Sequence, residues 1–118
     1  MLDKISIGTD IEEIRRFEGK ETNRAFLSKV YTISELEYCL KFKNPAQHFC
    51  ARFCAKEAIV KALSAIGIKD VYYSDIEVHN EKDGTPYATI EKHTDINVRV
   101  SLSHCKNYAM ASAIVEKI

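Results

Sequence analysis

Apolar and polar positions alternate along residues 4–11: Ile5, Ile7, Thr9 and Ile11 fall on one side, Ser6, Gly8 and Asp10 on the other. A period of two predicts a strand. Charge then thickens through Glu12-Glu13-Ile14-Arg15-Arg16-Phe17, a turn or short helix leaving the strand. Thr32-Ile-Ser-Glu35 reads as a capping box that opens a helix over roughly residues 33–42. Asn44-Pro45-Ala46-Gln47 is a second start signal, with Asn44 as N-cap and Pro45 at the first helical position. The helix it opens runs to about Ala65, roughly 30 Å at 1.5 Å per residue.

The period changes in the second half. Ile76 to His79 and Pro86 to Ile90 flank Asp83-Gly84, a hairpin signal. Ile96, Val98, Val100 and Leu102 alternate with Asn97, Arg99, Ser101 and Ser103. From Tyr108 to Val115, the small residues Ala109, Ala111 and Ala113 line one face, suited to close packing on the long helix or on a neighbouring chain. Strand, helices, then antiparallel strands predict an α+β fold: a mostly antiparallel sheet packed on a long central helix.

Composition narrows the classes. The chain has 118 residues and 13.4 kDa, is 46% hydrophobic, and carries 17 basic and 17 acidic side chains. One domain over residues 1–118 is expected. Both halves of the chain are balanced to within one charge, so nothing marks a nucleic-acid or anionic-membrane partner. No apolar run approaches a membrane span, and Met1-Leu2-Asp3-Lys4 lacks a signal layout. A cytoplasmic protein is therefore expected. Cys39, Cys50, Cys54 and Cys105 form no Cys-x-x-Cys pair and read as small buried hydrophobes, although Cys50 and Cys54 share a helix face that a metal could use.

Three positions break the pattern. On the long helix, Ala46, Phe49, Cys50, Phe53, Cys54, Val60 and Ser64 form an apolar stripe, with Glu57 and Lys61 in its middle. An i,i+4 Glu–Lys pair on an exposed face stabilises a helix by about 0.2–0.5 kcal/mol. Buried alone, either ion costs several kcal/mol unless a partner or metal compensates. Asp10 is second, near the end of its strand beside Gly8, which leaves open space. It is either a loop-starting residue bonded to the next amides or a ligand. Asp10 and Glu57 together offer two hard oxygen donors for one Mg²⁺, with Lys61 meeting a phosphate as a point charge. The third is Ser101-Leu-Ser-His104. No G-x-S-x-G elbow or third member supports Ser103 as a nucleophile, and His104 reads as a capped surface residue or a ligand contact. His48, His79 and His93 show no ligand spacing. Arg15 and Arg16 form a solvated face with Glu12 and Glu13, or meet an acidic protein. Arg52 and Lys56 flank the stripe, where a phosphate above Glu57 and Lys61 would look for cations.

Ile7-Gly-Thr-Asp10-Ile-Glu-Glu-Ile-Arg-Arg-Phe17, Ala51-Arg-Phe-Cys-Ala-Lys-Glu-Ala-Ile-Val-Lys-Ala-Leu63, Ser74-Asp-Ile-Glu-Val78, Gly84-Thr-Pro86 and Ser101-Leu-Ser-His104 occur in order from end to end. This series resembles the holo-[acyl-carrier-protein] synthase family, the short, trimeric branch of the phosphopantetheinyl transferases. The R-F-x-A-K-E-A-x-x-K-A block is the most specific part.

The resemblance implies a phosphopantetheinyl-transferase-like fold. It also implies transfer of 4′-phosphopantetheine from coenzyme A to a serine of apo acyl carrier protein, releasing adenosine 3′,5′-bisphosphate, a step of fatty-acid biosynthesis. By the same resemblance, Asp10 and Glu57 would ligate Mg²⁺ or Mn²⁺, and Lys61 would contact the diphosphate. Arg52, Ser103 and His104 would reach the 3′-phosphate and adenosine end, with Pro86 near the adenine. Arg16 would meet the acidic helix bearing the acceptor serine. A homotrimer with sites between neighbouring chains is implied as well. The base that takes the serine proton is open among Glu57, Asp10 and a metal-held water. One departure is Ser64-Ala65-Ile66-Gly67, where the family carries a glycine-rich exit, so this stretch is assigned no binding role. Two other readings stand beside the transferase: a non-catalytic oligomeric module that binds an acidic carrier-like protein, and a different Mg²⁺-dependent enzyme on the same scaffold.

Overall fold

The computed structural model describes residues 4–118. Strand β1 (Ile5–Glu13) runs into a 3-10 turn (Ile14–Phe17), and a second 3-10 turn (Lys20–Thr22) precedes helices α1 (Arg24–Val30), α2 (Ile33–Leu40) and α3 (Ala46–Ala65). A third 3-10 turn (Tyr73–Asp75) leads into the strands β2 (Ile76–Asn80), β3 (Pro86–Ile90), β4 (Ile96–His104) and β5 (Tyr108–Lys117). The strands form an antiparallel three-stranded sheet, β1-β5-β4, and the separate β2–β3 hairpin. This is the α+β arrangement the pattern predicts.

The capping box forms as read: Thr32 Oγ1 accepts from the Glu35 amide at 3.3 Å, and the Thr32 amide donates to Glu35 Oε1 at 2.8 Å. The helix it opens ends at Leu40 rather than near residue 42. α3 begins one residue later than the Asn44 signal, because Pro45 is the cap residue and no side chain caps it. α1 is an element the periodicity does not announce; Asn23 caps it, accepting from the Phe26 amide. At the hairpin, Gly84 takes a positive φ of 92°, the turn conformation its sequence signal implies.

β5 is the middle strand, and its inner face (Ala109, Ala111, Ala113 and Val115) is fully buried. Gly8 lies on the inner face of β1, but the space beside it is not open: a Cβ there would overlap the Ala58 carbonyl oxygen of α3. Small residues on β1, β5 and α3 let sheet and helix backbones approach closely. α1, α2 and the hairpin meet the other side of α3 through Tyr31, Glu35 and Asn80.

Over its second half the helix is consequently buried on the side opposite the expected stripe, while Phe49, Cys50 and Cys54 of the stripe are fully buried as well. Ala55, Ala58, Ile59, Ala62 and Leu63 have no exposure, whereas Val60 and Ser64 are half-buried. The charges this helix places inside the core are Arg52 (3% exposed) and Lys56 (0%), not Glu57 and Lys61. Lys56 does not look outward for a phosphate. Its Nζ donates to Glu35 Oε1 and to the Val30 carbonyl at 2.6 Å each, and to the Tyr73 carbonyl at 2.9 Å. Cys50 and Cys54 donate to the Glu12 and Ala109 carbonyls and are packing residues, as Cys39 is; Cys105 is exposed.

Candidate active site

β1 and α3 cross near Gly8, and their packing brings Asp10 beside Lys61. Asp10 Oδ1 accepts from Lys61 Nζ at 3.2 Å, and the same ammonium donates to the Thr9 carbonyl at 3.0 Å. The Lys61 side chain remains 53% exposed while that of Asp10 is 9% exposed. Asp10 Oδ2 is buried and has no hydrogen-bond partner.

Glu57 lies one turn before Lys61, half-buried, with Oε1 accepting from the Tyr73 hydroxyl. Burial and then the Asp10 charge push its carboxyl above the usual range, with Lys61 opposing. Glu12 joins the same acidic group. Burial, followed by the Asp10 carboxylate facing it, raises its pKa to about 7, against the pull of Arg16. Two or three acids therefore press on each other with one lysine between them. Among the described residues, no three His, Cys, Asp or Glu side chains converge to cage an ion by themselves. A pair of carboxylates with an orphaned oxygen fits Mg²⁺, which keeps several coordination positions for water and substrate phosphate.

Arg52 belongs to a second group. At 100° per residue it points about 180° away from Lys61 around α3. Its guanidinium lies 3.9 Å from the centre of the Tyr38 ring, and Nη2 donates to Asn80 Oδ1 at 2.6 Å. Asn80 pairs across the hairpin with Pro86, so Arg52 and Pro86 share one end of the molecule. His104 closes β4, and its Nε2 accepts from Gln47 Nε2 at 3.0 Å. His48 lies between these groups, stacked on Phe42 at 3.6 Å. Burial, then the charges of Arg52 and His104, hold its pKa below 6.5.

Ser103 and His104 point to opposite sides of β4, Ser103 lying across from exposed Met110 and His104 across from buried Ala109. That alternation leaves Ser103 without His104 as a base. Arg16 is bonded to Glu12 Oε1 at 3.0 Å and Arg15 to Glu13 at 3.0 Å, the solvated face that their spacing suggests.

Sequence reasoning thus finds Asp10, Glu57 and Lys61 as neighbours and misses Glu12, Tyr73, Asn80 and Tyr38. The strand alternation alone places Glu12 on the Asp10 face. Nothing local marks Tyr73, which arrives from a turn after the helix.

An acid pair and lysine across a strand–helix crossing, on this α+β scaffold, define the class. Residues 6–113 match the family described as the 4′-phosphopantetheinyl transferase superfamily, and the chain belongs to it. Within that superfamily its relatives are holo-[acyl-carrier-protein] synthases. One from Chlorobaculum parvum is 42% identical over 118 residues, covering 97% of this chain and 100% of the relative. A Bacillus anthracis holo-(acyl-carrier-protein) synthase, solved in complex with CoA (3′,5′-ADP), superposes with a TM-score of 0.82 at 32% identity, covering 98% of this chain and 99% of that one. The Helicobacter pylori holo-[acyl-carrier-protein] synthase, solved with coenzyme A, gives 0.79 at 30% identity, covering 93% of this chain and 99% of that one.

Proposed function

We propose that this protein transfers the 4′-phosphopantetheine group of coenzyme A to a serine of an apo acyl carrier protein, dependent on Mg²⁺, at sites shared between copies of a homotrimer. The observation that carries this reading is the meeting of Asp10, Glu57 and Lys61, with Asp10 Oδ2 buried and unpartnered.

In the reaction, the acceptor serine oxygen bonds to the phosphorus attached to pantetheine. The bond from that phosphorus to the bridging anhydride oxygen breaks, and adenosine 3′,5′-bisphosphate leaves. Such a transfer asks the protein mainly for positioning and charge neutralisation. Of the three Lys61 protons, two are engaged by Thr9 and Asp10; the third is available to an oxygen of the diphosphate. The serine proton goes to Glu57, to Asp10 or to a water held at the site. Mg²⁺, or Mn²⁺ in its place, held by Asp10 and Glu57, would supply the remaining neutralisation of the diphosphate.

Arg52, His104, Pro86 and Ser103 are read as the adenosine and 3′-phosphate end. Because Arg52 faces away from Lys61, one copy supplies the acid–lysine half and its neighbour the adenosine half. The outer face of the three-stranded sheet supports contact between copies. Ile7 (75% exposed) pairs with Ile114 (51%), and Ile11 (62%) with Met110 (39%), two exposed apolar pairs on either side of the Thr9–Ser112 pair. Arg16 would exchange Glu12 for an acidic helix of the carrier. On this reading residues 1–118 act as one domain, in the cytoplasm, in fatty-acid biosynthesis; no helix of the described residues is long and apolar enough to cross a membrane.

The test is mass spectrometry of an apo acyl carrier protein after incubation with coenzyme A, Mg²⁺ and either the wild-type chain or Glu57→Gln. The expected result is a phosphopantetheine adduct with wild type, lost on chelation of Mg²⁺ and in the variant. A complex without an adduct, or a variant with undiminished Mg²⁺-dependent turnover, overturns the reading.

A further inference from the structure

Arg52 is an arginine almost without solvent exposure and, among the described residues, without a carboxylate partner. Its Nε is buried with no acceptor. What holds it is neutral: the face of Tyr38 on one side and Asn80 Oδ1 on the other. Asn80 is itself fixed, since its Nδ2 donates to the Gly84 carbonyl at 3.0 Å across the hairpin turn. An arginine desolvated in this way keeps its full charge for an anion, and its guanidinium presents further N–H groups in a rigid fork. A cavity of about 440 Å³ opens there, lined by Arg52, Asn80, Tyr38 and Tyr87. Lys41, Glu37 and Glu81 also line it, so the cavity carries no general excess of positive charge.

We propose that Asn80 is a positioning residue that sets the preference for a donor bearing a 3′-phosphate, by orienting Arg52 without neutralising it. The inference rests on the reading of Arg52 as a 3′-phosphate contact. An amide suits the task where a carboxylate would not: it accepts one guanidinium hydrogen bond and leaves the charge intact. The second amide bond, to Gly84, couples that orientation to the same hairpin that carries Pro86.

The experiment is calorimetric titration of the full-length protein with coenzyme A and with 3′-dephospho-coenzyme A, for wild type, Asn80→Ala, Asn80→Asp and Arg52→Gln. Circular dichroism and thermal melting check each fold. Loss of one charge-assisted contact is expected to weaken coenzyme A binding about tenfold in Asn80→Ala. In Asn80→Asp the weakening is expected to be at least as large. Dephospho-coenzyme A binding should change less than twofold in both. A residue that only supported the hairpin would weaken both ligands alike, and that result, or an unchanged ratio, overturns the proposal. Should Asn80→Ala fail to fold, Asn80→Asp carries the same comparison. If Arg52→Gln keeps the wild-type ratio, the assignment of Arg52 itself fails. If Arg52→Gln loses the ratio while both Asn80 variants keep it, only the role of Asn80 fails.

Discussion

Lys56 and Glu57 are adjacent in sequence and have opposite roles. Lys56 spends all three donors inside the core, on Glu35, Val30 and Tyr73. Burial pulls its pKa down while Glu35 opposes. Replacing it with Met strands the Glu35 carboxylate, which is 1% exposed. Lys56→Met is expected to destabilise the fold by about 3–5 kcal/mol in urea denaturation, the cost of an uncompensated buried charge; a loss below about 1 kcal/mol contradicts that. Glu57, one position on, turns towards Asp10 and the open side.

The sequence picks out Glu57 and Lys61 because their stripe looks buried, and in the structure the second half of that stripe is the more open side of α3. Counting apolar residues fails here because the close sheet contact is made by alanines, which carry little hydrophobic weight. His48 gives one pH dependence of stability. Its pKa is held below the ordinary 6.5 by burial, Arg52 and His104. Its contribution is therefore fully present above pH 6.5 and is lost as pH falls through the folded-state value. His48→Phe is expected to lose less stability than wild type between pH 7.5 and pH 5, measured by chemical denaturation; equal losses contradict the assignment.

At the scale of elements, β1, the hairpin, β4, β5 and the long helix are all legible, because each has a clean period or a strong turn signal. α1 is not. Its seven residues make two turns, too few for a periodic stripe, and Asn23 alone announces it. Packing of elements is harder to read than their existence. Gly8 looks like a gap beside Asp10 and is instead where α3 lies against β1. That contact sets the distance from Asp10 to Lys61. Gly8→Ala is expected to cost about 1–3 kcal/mol by overpacking and to lower turnover at fixed Mg²⁺, measured by denaturation and by assay. Wild-type stability and turnover together contradict the idea that this crossing positions the site.

For the whole molecule, one side of the three-stranded sheet is spent on α3, and the other leaves Ile7, Ile11, Met110 and Ile114 exposed. Ile7→Glu, at a position 75% exposed in one copy, should leave the fold intact. It is expected to convert a trimer to a monomer in sedimentation velocity, with loss of transfer activity. A wild-type chain that sediments as a fully active monomer contradicts shared sites.

Everything in the proposed reaction depends on Asp10 and Glu57 holding one divalent cation together. The most direct measurement is anomalous diffraction from crystals grown with Mn²⁺ and coenzyme A. A manganese peak is expected within coordinating distance of both carboxylates. Coenzyme A bound with manganese elsewhere, or touching only one of the two acids, would contradict it.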